Sequence, residues 1–210
     1  MRTFEILIQG TTPMLQHRFT EESEVEKQTR RVARAETDPR KEAERVAYRL
    51  PSGDLYMPGA AIARLLREAG GGHKQKGSRK SMKYVVPAAI LVNEDMIPLV
   101  NGDGKTALVD FEVDSRPVTI PATKGRIMRH RPRLNQWGAR FTLRINPQLI
   151  DPQFVHQLLN EGGQQLGLLD YRPERGGPFG TFNVVEWREI GADGEEVKPA
   201  EPAKKKKNAA

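Results

Sequence analysis

Two short segments alternate strictly, and the alternation sets what the chain can fold into. Phe4, Ile6 and Ile8 share one side of Thr3–Gln9, with Leu7 opposite between Glu5 and Gln9. Phe141, Leu143 and Ile145 likewise alternate with Arg140, Thr142 and Arg144. A period of two belongs to a strand with one face on a core and one face in water. Such strands need a covering layer, and two segments supply it. Ile62, Leu65, Leu66 and Ala69 recur at helical spacing after Pro58-Gly59, and Gly70-Gly71-Gly72 stops the helix. A second helix opens at Asp151-Pro152, the usual pairing of N-cap and first-turn residue, and buries Phe154, Val155, Leu158 and Leu159 through about Glu161.

The remaining segments are shorter. Leu55–Met57 reads as an extended piece, Tyr84–Val92, Met96–Val100 and Thr181–Trp187 as strands, and Glu21–Arg49 as a weakly held helix followed by a short one after Asp38-Pro39. Phe111–Ile120 and Arg140–Ile145 read as the legs of a long hairpin. With its insertions removed, the chain keeps a βαβ unit at each end. The expected class is α+β: a ferredoxin-like (RRM-like) antiparallel sheet with helices on one face. Residues 1–190 form one domain with insertions at 20–50, 70–83 and 115–140. From Gly191 onward any pattern gives way to Pro, Glu, Lys and Ala, so 191–210 reads as a disordered Lys-rich tail.

Charge is the second constraint. Between Ser115 and Ile150 stand Arg116, Lys124, Arg126, Arg129, Arg131, Arg133, Arg140 and Arg144, with no Asp or Glu. Alternating charges cancel beyond a Debye length, whereas a block of one sign creates a field that an extended anion feels. Arginine also matches the fork geometry of phosphate oxygens. The formal net charge of +7 favours a polyanionic partner, although Lys204–Lys207 supplies part of it. A loop basic by chance is the plain alternative. Further cations stand at Arg64, Arg67, Lys74, Lys76, Arg79 and Lys80, and Arg172 and Arg175 lie within the glycine-rich stretch Gly167–Gly180. There, Gly167, Gly176, Gly177 and Gly180 permit positive φ, and successive free N–H groups can form an anion nest; a purely structural turn is the even alternative. The spacing is not that of a P-loop, so ATP is not expected. No cofactor or metal is expected.

Other chemistry is weighed against this. Lacking cysteine, the chain has no disulfide, thiolate metal site or cysteine nucleophile. Its N-terminus enters a strand without an apolar signal region, and no stretch reaches membrane-spanning length, so no membrane partner and a cytoplasmic location are expected. His17 and His130 could act as a general base beside cations in a ribonuclease, but loop contacts are the commoner role. Asp110, Glu112 and Asp114, near Asp103, could form a metal face, an exposed acidic face or a patch for a neighbouring copy. Trp137, beside the basic block, is a candidate for stacking on a base. The face bearing Arg140, Thr142 and Arg144 lacks an aromatic pair, which argues against a conventional RNA-recognition motif and for contact through phosphates.

Three motifs carry a family resemblance. Leu55-Tyr-Met-Pro-Gly-Ala-Ala-Ile-Ala-Arg-Leu-Leu-Arg67 resembles the Pro-Gly-small-small helix start of the RAMP superfamily, the backbone and repeat-processing proteins of CRISPR effector complexes. Ile8–Leu15 resembles the end of that superfamily's first strand, and Gly167–Gly180 its late glycine-rich loop, although here the loop is longer. Residues 3–188 also resemble phage and prophage proteins sharing the Gly-Gly-Pro-Phe-Gly ending. The resemblance implies a ferredoxin-like core with an inserted hairpin, binding to single-stranded nucleic acid in a bacterial host cell, and protomers assembled side by side as an oligomer or filament. The expected function is a largely sequence-independent binder of single strands, used in phage replication, recombination or a CRISPR-related process. The alternatives are a metal-independent endoribonuclease, and an adaptor or inhibitor of a CRISPR-type complex.

Overall fold

A computed structural model describes residues 1–19, 38–119, 125–191 and 195. The chain is mixed α+β with two antiparallel sheets and four α-helices among the described residues. In chain order the elements are β1 (Arg2–Gly10), β2 (Met14–Leu15), α1 (Pro39–Arg45), β3 (Tyr56–Pro58), α2 (Gly59–Ala69), α3 (Val86–Ala89), β4 (Ile90–Val92), β5 (Met96–Val100), β6 (Glu112–Thr119), β7 (Arg126–Leu134), β8 (Gly138–Ile145), α4 (Pro152–Gln165) and β9 (Phe182–Ile190).

The larger sheet is built on the two alternating segments. β1 pairs antiparallel with β8, Phe4 facing Leu143 and Ile6 facing Phe141, and β9 pairs along the other edge of β1. The far edge of β8 is shared: β4 pairs with Leu143–Ile145, and β5 with Gly138 and Ala139. β3 closes that side against β5. Phe4, Ile6, Ile8, Phe141, Leu143 and Ile145 are all buried, in one cluster with Ile62, Leu65 and Leu66 of α2 and Val155, Leu158 and Leu159 of α4. α4 runs past Glu161 because Gly162 and Gly163 let it press close: an added Cβ would stand 2.5 Å from Leu65 and 2.6 Å from the Phe182 carbonyl oxygen, respectively. No helix among the described residues is long and apolar enough to cross a membrane.

The smaller sheet, β2-β7-β6, corrects the expected hairpin. The partner of β6 is β7, not Arg140–Ile145, and β8 belongs to the other sheet. Most of the basic block is therefore strand rather than loop tip, and its last arginines, Arg140 and Arg144, stand on β8. The connection between β6 and β7 includes Lys124, which lies outside the described residues, as do 20–37 and most of the Lys-rich tail. Tyr84–Val92 is also corrected. Only Ile90–Val92 is strand, because Pro87 fixes its φ in a range that suits the first turn of α3. Buried Gln16 ties the two sheets together, donating to the Tyr56 carbonyl (3.0 Å) and accepting from the Tyr48 N–H (2.8 Å).

Candidate nucleic-acid interface

The β6–β7 register sorts the basic block onto two faces. Asp114 stands opposite Arg131 and Arg116 opposite Arg129, so these four and Arg133 share one face. Ser115 stands opposite His130 on the reverse face, which packs on α1. There Ser115 Oγ lies 2.7 Å from His130 Nδ1, and the His130 N–H donates to Glu42 (3.3 Å).

On the first face, Arg131 is only 6% exposed. Its Nη1 donates to Asp170 (2.5 Å) and its Nη2 lies 3.7 Å from Asp114, while its Nε finds no partner among the described residues. Arg116 donates to Asp114 through Nε (2.8 Å), and its guanidinium lies over the Phe179 ring, 4.7 Å from the centroid. A chain of ion pairs thus joins the hairpin to the glycine-rich loop. Arg126, Arg129 and Arg133 have no carboxylate partner among the described residues, and Arg133 donates to the Asn135 side-chain oxygen (2.8 Å).

Asp170 is the residue the sequence did not single out. It sits between Leu169 and Tyr171, both left-handed (φ 58° and 47°), a conformation costly for any residue but glycine. Its N–H donates to the Leu15 carbonyl (3.0 Å), which places its carboxylate at Arg131 and 3.9 Å from His17 Nδ1. The glycines around it do not form an anion nest. Gly167 N–H donates to Gly162, Gly176 to Pro173, Gly177 to Arg172 and Gly180 to Pro13 (2.8–3.0 Å), so all four donors are used inside the protein. Their role is to close the loop, and its cationic side chains are Arg172 and Arg175.

Two depressions flank this loop and share Asp170 and Arg172. A groove of about 580 Å³ runs between loop and hairpin, lined by Arg116, Arg131, Arg172 and Arg175 against the single carboxylate of Asp170. Tyr171, 38% exposed and 6.0 Å from the Phe179 ring, stands in its wall. On the other side lies a cleft of about 390 Å³ against α2, with His17, Tyr48, Ala60, Ala61 and Arg64 in its lining.

His17 faces that cleft, and burial lowers its pKa from the ordinary 6.5; Asp170 opposes the shift, and Arg129 and Arg131 reinforce it. The folded state therefore favours the neutral ring, while the unfolded chain takes up a proton as pH falls through 6.5. Stability from this source is fully present above that pH and is lost as the pH falls toward the folded value. His17→Gln is expected to reduce the loss of stability between neutral and mildly acidic pH, read as the urea midpoint at the two pH values. An unaltered pH dependence would remove His17 from this role.

The other expected residues are dispersed. Trp137 is corrected to a core residue: 1% exposed, it packs over Gly10 and donates to the Thr12 carbonyl (2.9 Å), so it offers no face to a base. Arg140 lies on the sheet face away from the helices, between Glu186 (2.9 Å) and Glu5 (3.4 Å), and Arg188 pairs with the same two glutamates. That face is a neutral lattice beside exposed Arg144. Arg64 and Arg172 both donate to Glu174, and Arg67 donates to Glu68. Lys74, Lys76, Arg79 and Lys80 are exposed on a small turn-back whose base is pinned by His73–Glu161 (2.7 Å) and Lys83–Glu68 (2.7 Å). The acidic residues do not converge. Asp103 accepts from Lys105 and Thr106 and is held at a pKa of about 2, first by the Thr106 hydroxyl; Asp110 pairs with Arg40; Asp114 is buried under arginines. No cluster of metal-ligating residues occurs among the described residues.

No protein-family model matches the chain, and no curated protein matches it.

Proposed function

We propose that the chain binds single-stranded nucleic acid through phosphate contacts, largely without regard to sequence, on a ferredoxin-like core of the RAMP type. The core reading is supported by the strand order β9-β1-β8-β4/β5, with α2 and α4 as the crossovers of two βαβ units. The observation that carries the function is the groove between hairpin and loop. It sets Arg116, Arg131, Arg172 and Arg175 around a half-exposed tyrosine; Asp114, Asp170 and Glu174 pair the first three, Arg175 is in excess, and a cationic wall beside an aromatic ring is the combination that single strands need. Of the basic block, Arg116 and Arg131 line it, and Arg140 is matched by glutamates on a different face. Arg126, Arg129 and Arg133 lie on the hairpin outside the groove lining, and these three and the groove's Arg175 have no carboxylate partner among the described residues.

The test is a titration of labelled single-stranded DNA, single-stranded RNA and duplex at two salt concentrations. Log affinity for single strands should fall steeply with log salt, by about 0.7 for each phosphate neutralised. Replacing Arg126, Arg129, Arg133 and Arg175 by Ser should flatten that slope by about 2–3 and leave thermal stability nearly unchanged, because none of them satisfies a carboxylate. Arg140→Ser is the control and should leave the slope alone. An unchanged slope in the fourfold variant would remove the hairpin from the binding surface.

One observation favours a second reading. A neutral His17 beside Asp170, Arg129 and Arg131 has the composition of a base with cations for an oxyanion, as a metal-independent ribonuclease requires. Inspection of the RNA arm of the titration for cleavage products separates the two readings. His130, on the opposite face of the hairpin, cannot share that site.

A further inference from the structure

The turn-back at residues 73–83 is not part of the groove, yet its charge is the less compensated of the two. No Asp or Glu stands between Glu68 and Glu94, a stretch that holds Lys74, Lys76, Arg79, Lys80 and Lys83. Only its base is neutralised, by His73–Glu161 and Lys83–Glu68, both at 2.7 Å. Lys74, Lys76, Arg79 and Lys80 are exposed and make no ion pair among the described residues. In the groove, by contrast, Arg116, Arg131 and Arg172 each have a carboxylate.

The turn-back is also a built element. The Met82 N–H donates to the His73 carbonyl, the Gln75 N–H to that of Lys80 and the Ser78 N–H to that of Gln75, each at 2.9 Å, and Lys74 bridges Ser81. Gly77, left-handed at φ 72°, turns the chain, and buried Met82 anchors the returning leg in the core. The fold therefore holds four like charges close together with no countercharge of their own. Their mutual repulsion is relieved by an external polyanion.

A second observation identifies the polyanion. The Tyr84 N–H donates to the Ser81 carbonyl (3.3 Å), which sets this residue one turn beyond the returning leg, and its side chain is 77% exposed. Packing accounts for Met82 but not for Tyr84. An open aromatic ring beside unpaired cations suits a base next to its phosphates. The way from the groove is continuous: Arg172 stands in the walls of groove and cleft, Arg64 and Glu68 line the cleft along α2, and Glu68 holds Lys83. The 11 residues of α2 span about 16 Å, and the turn-back leaves its C-terminal end through Gly70–Gly72.

We propose that residues 74–84 form a second contact for a single strand, separate from the groove, in which Lys74, Lys76, Arg79 and Lys80 hold phosphates and Tyr84 stacks on a base. This contact rests on the single-strand reading above and sets the length of the partner. A strand engages both sites only when it is long enough to leave the groove and run past α2.

The experiment titrates the full chain with oligothymidylates of about four and about fifteen nucleotides at several salt concentrations. One variant replaces Lys74, Lys76, Arg79 and Lys80 by Ser, and a second is Tyr84→Ala. All five side chains are exposed, and a thermal melt checks that both variants remain folded. In the fourfold variant the slope of log affinity against log salt should flatten by about 2–3 for the long oligomer and stay unchanged for the short one. Tyr84→Ala should weaken the long oligomer about five-fold or more with its salt slope intact. A wild-type slope in the fourfold variant at both lengths overturns the second contact and leaves the groove standing. An equal flattening at both lengths makes the turn-back part of the first site and overturns its separateness. Full affinity in Tyr84→Ala overturns the stacking role. If the wild type binds neither oligomer at low salt, the single-strand reading fails and the second contact falls with it.

Discussion

Asp114→Ala should destabilise the protein by about 3–5 kcal/mol, the usual cost of stranding a buried charge. The Asp114 carboxylate is 5% exposed and lies under two guanidinium groups, Arg116 at 2.8 Å and Arg131 at 3.7 Å. Arg131 is nearly as buried and its Nε is already without a partner, so it has little capacity to absorb a further loss. Alanine at 114 would leave Arg131 with Asp170 alone and bring two like charges face to face without a counterion between them. Asp170→Ala should cost less, because that carboxylate is about one-third exposed and water can replace part of its effect. The magnitude is read from urea unfolding. The double variant Asp114→Ala with Arg131→Met separates charge from packing: with no guanidinium left to strand and similar volume in its place, most of the stability should return. A double variant as unstable as the single one would mean that Asp114 acts through shape and that the ion pairs are incidental.

This buried ionic face also explains what the sequence concealed. β1, β8, α2 and α4 were legible because their inward residues are apolar at the period of the element, Phe4-Ile6-Ile8 in one case and Ile62-Leu65-Leu66 in another. β7 follows the same period of two, but its inward side buries Arg131, whose partners are Asp114 on β6 and Asp170 in the glycine-rich loop. A strand that buries ion pairs reads as a charged loop. Trp137 was misplaced for a related reason. It follows a basic segment, and only Gly10, from a strand more than a hundred residues earlier, opens the space that encloses it. Asp170 had no signal of its own, since its position depends on two non-glycine residues held left-handed by the loop around them. The location of positive charge was legible; which charges were already satisfied was not, because that is settled by tertiary contact.

The loop itself yields the second large effect. Gly177→Ala should destabilise by about 3 kcal/mol and weaken single-strand binding in parallel. A Cβ at Gly177 would stand 1.8 Å from the Tyr171 carbonyl oxygen, a backbone atom that also accepts from the Phe179 N–H. No rotamer relieves that clash; the chain near Tyr171 must move. Tyr171 is next to Asp170, so the displacement loosens the Arg131 contact and the wall common to groove and cleft. Gly176 provides the comparison. It is left-handed at φ 75°, yet nothing lies within 4 Å of its Cβ direction, so Gly176→Ala carries only the conformational cost, about 1 kcal/mol. The two neighbours therefore differ in mechanism: backbone preference at 176 and close approach at 177. If both substitutions cost the same, steric closure of the loop on Tyr171 is not what holds Asp170 in place. If Gly177→Ala is unstable yet binds oligonucleotides with wild-type affinity and salt slope, the loop is a structural clasp and the groove beside it is not the binding surface.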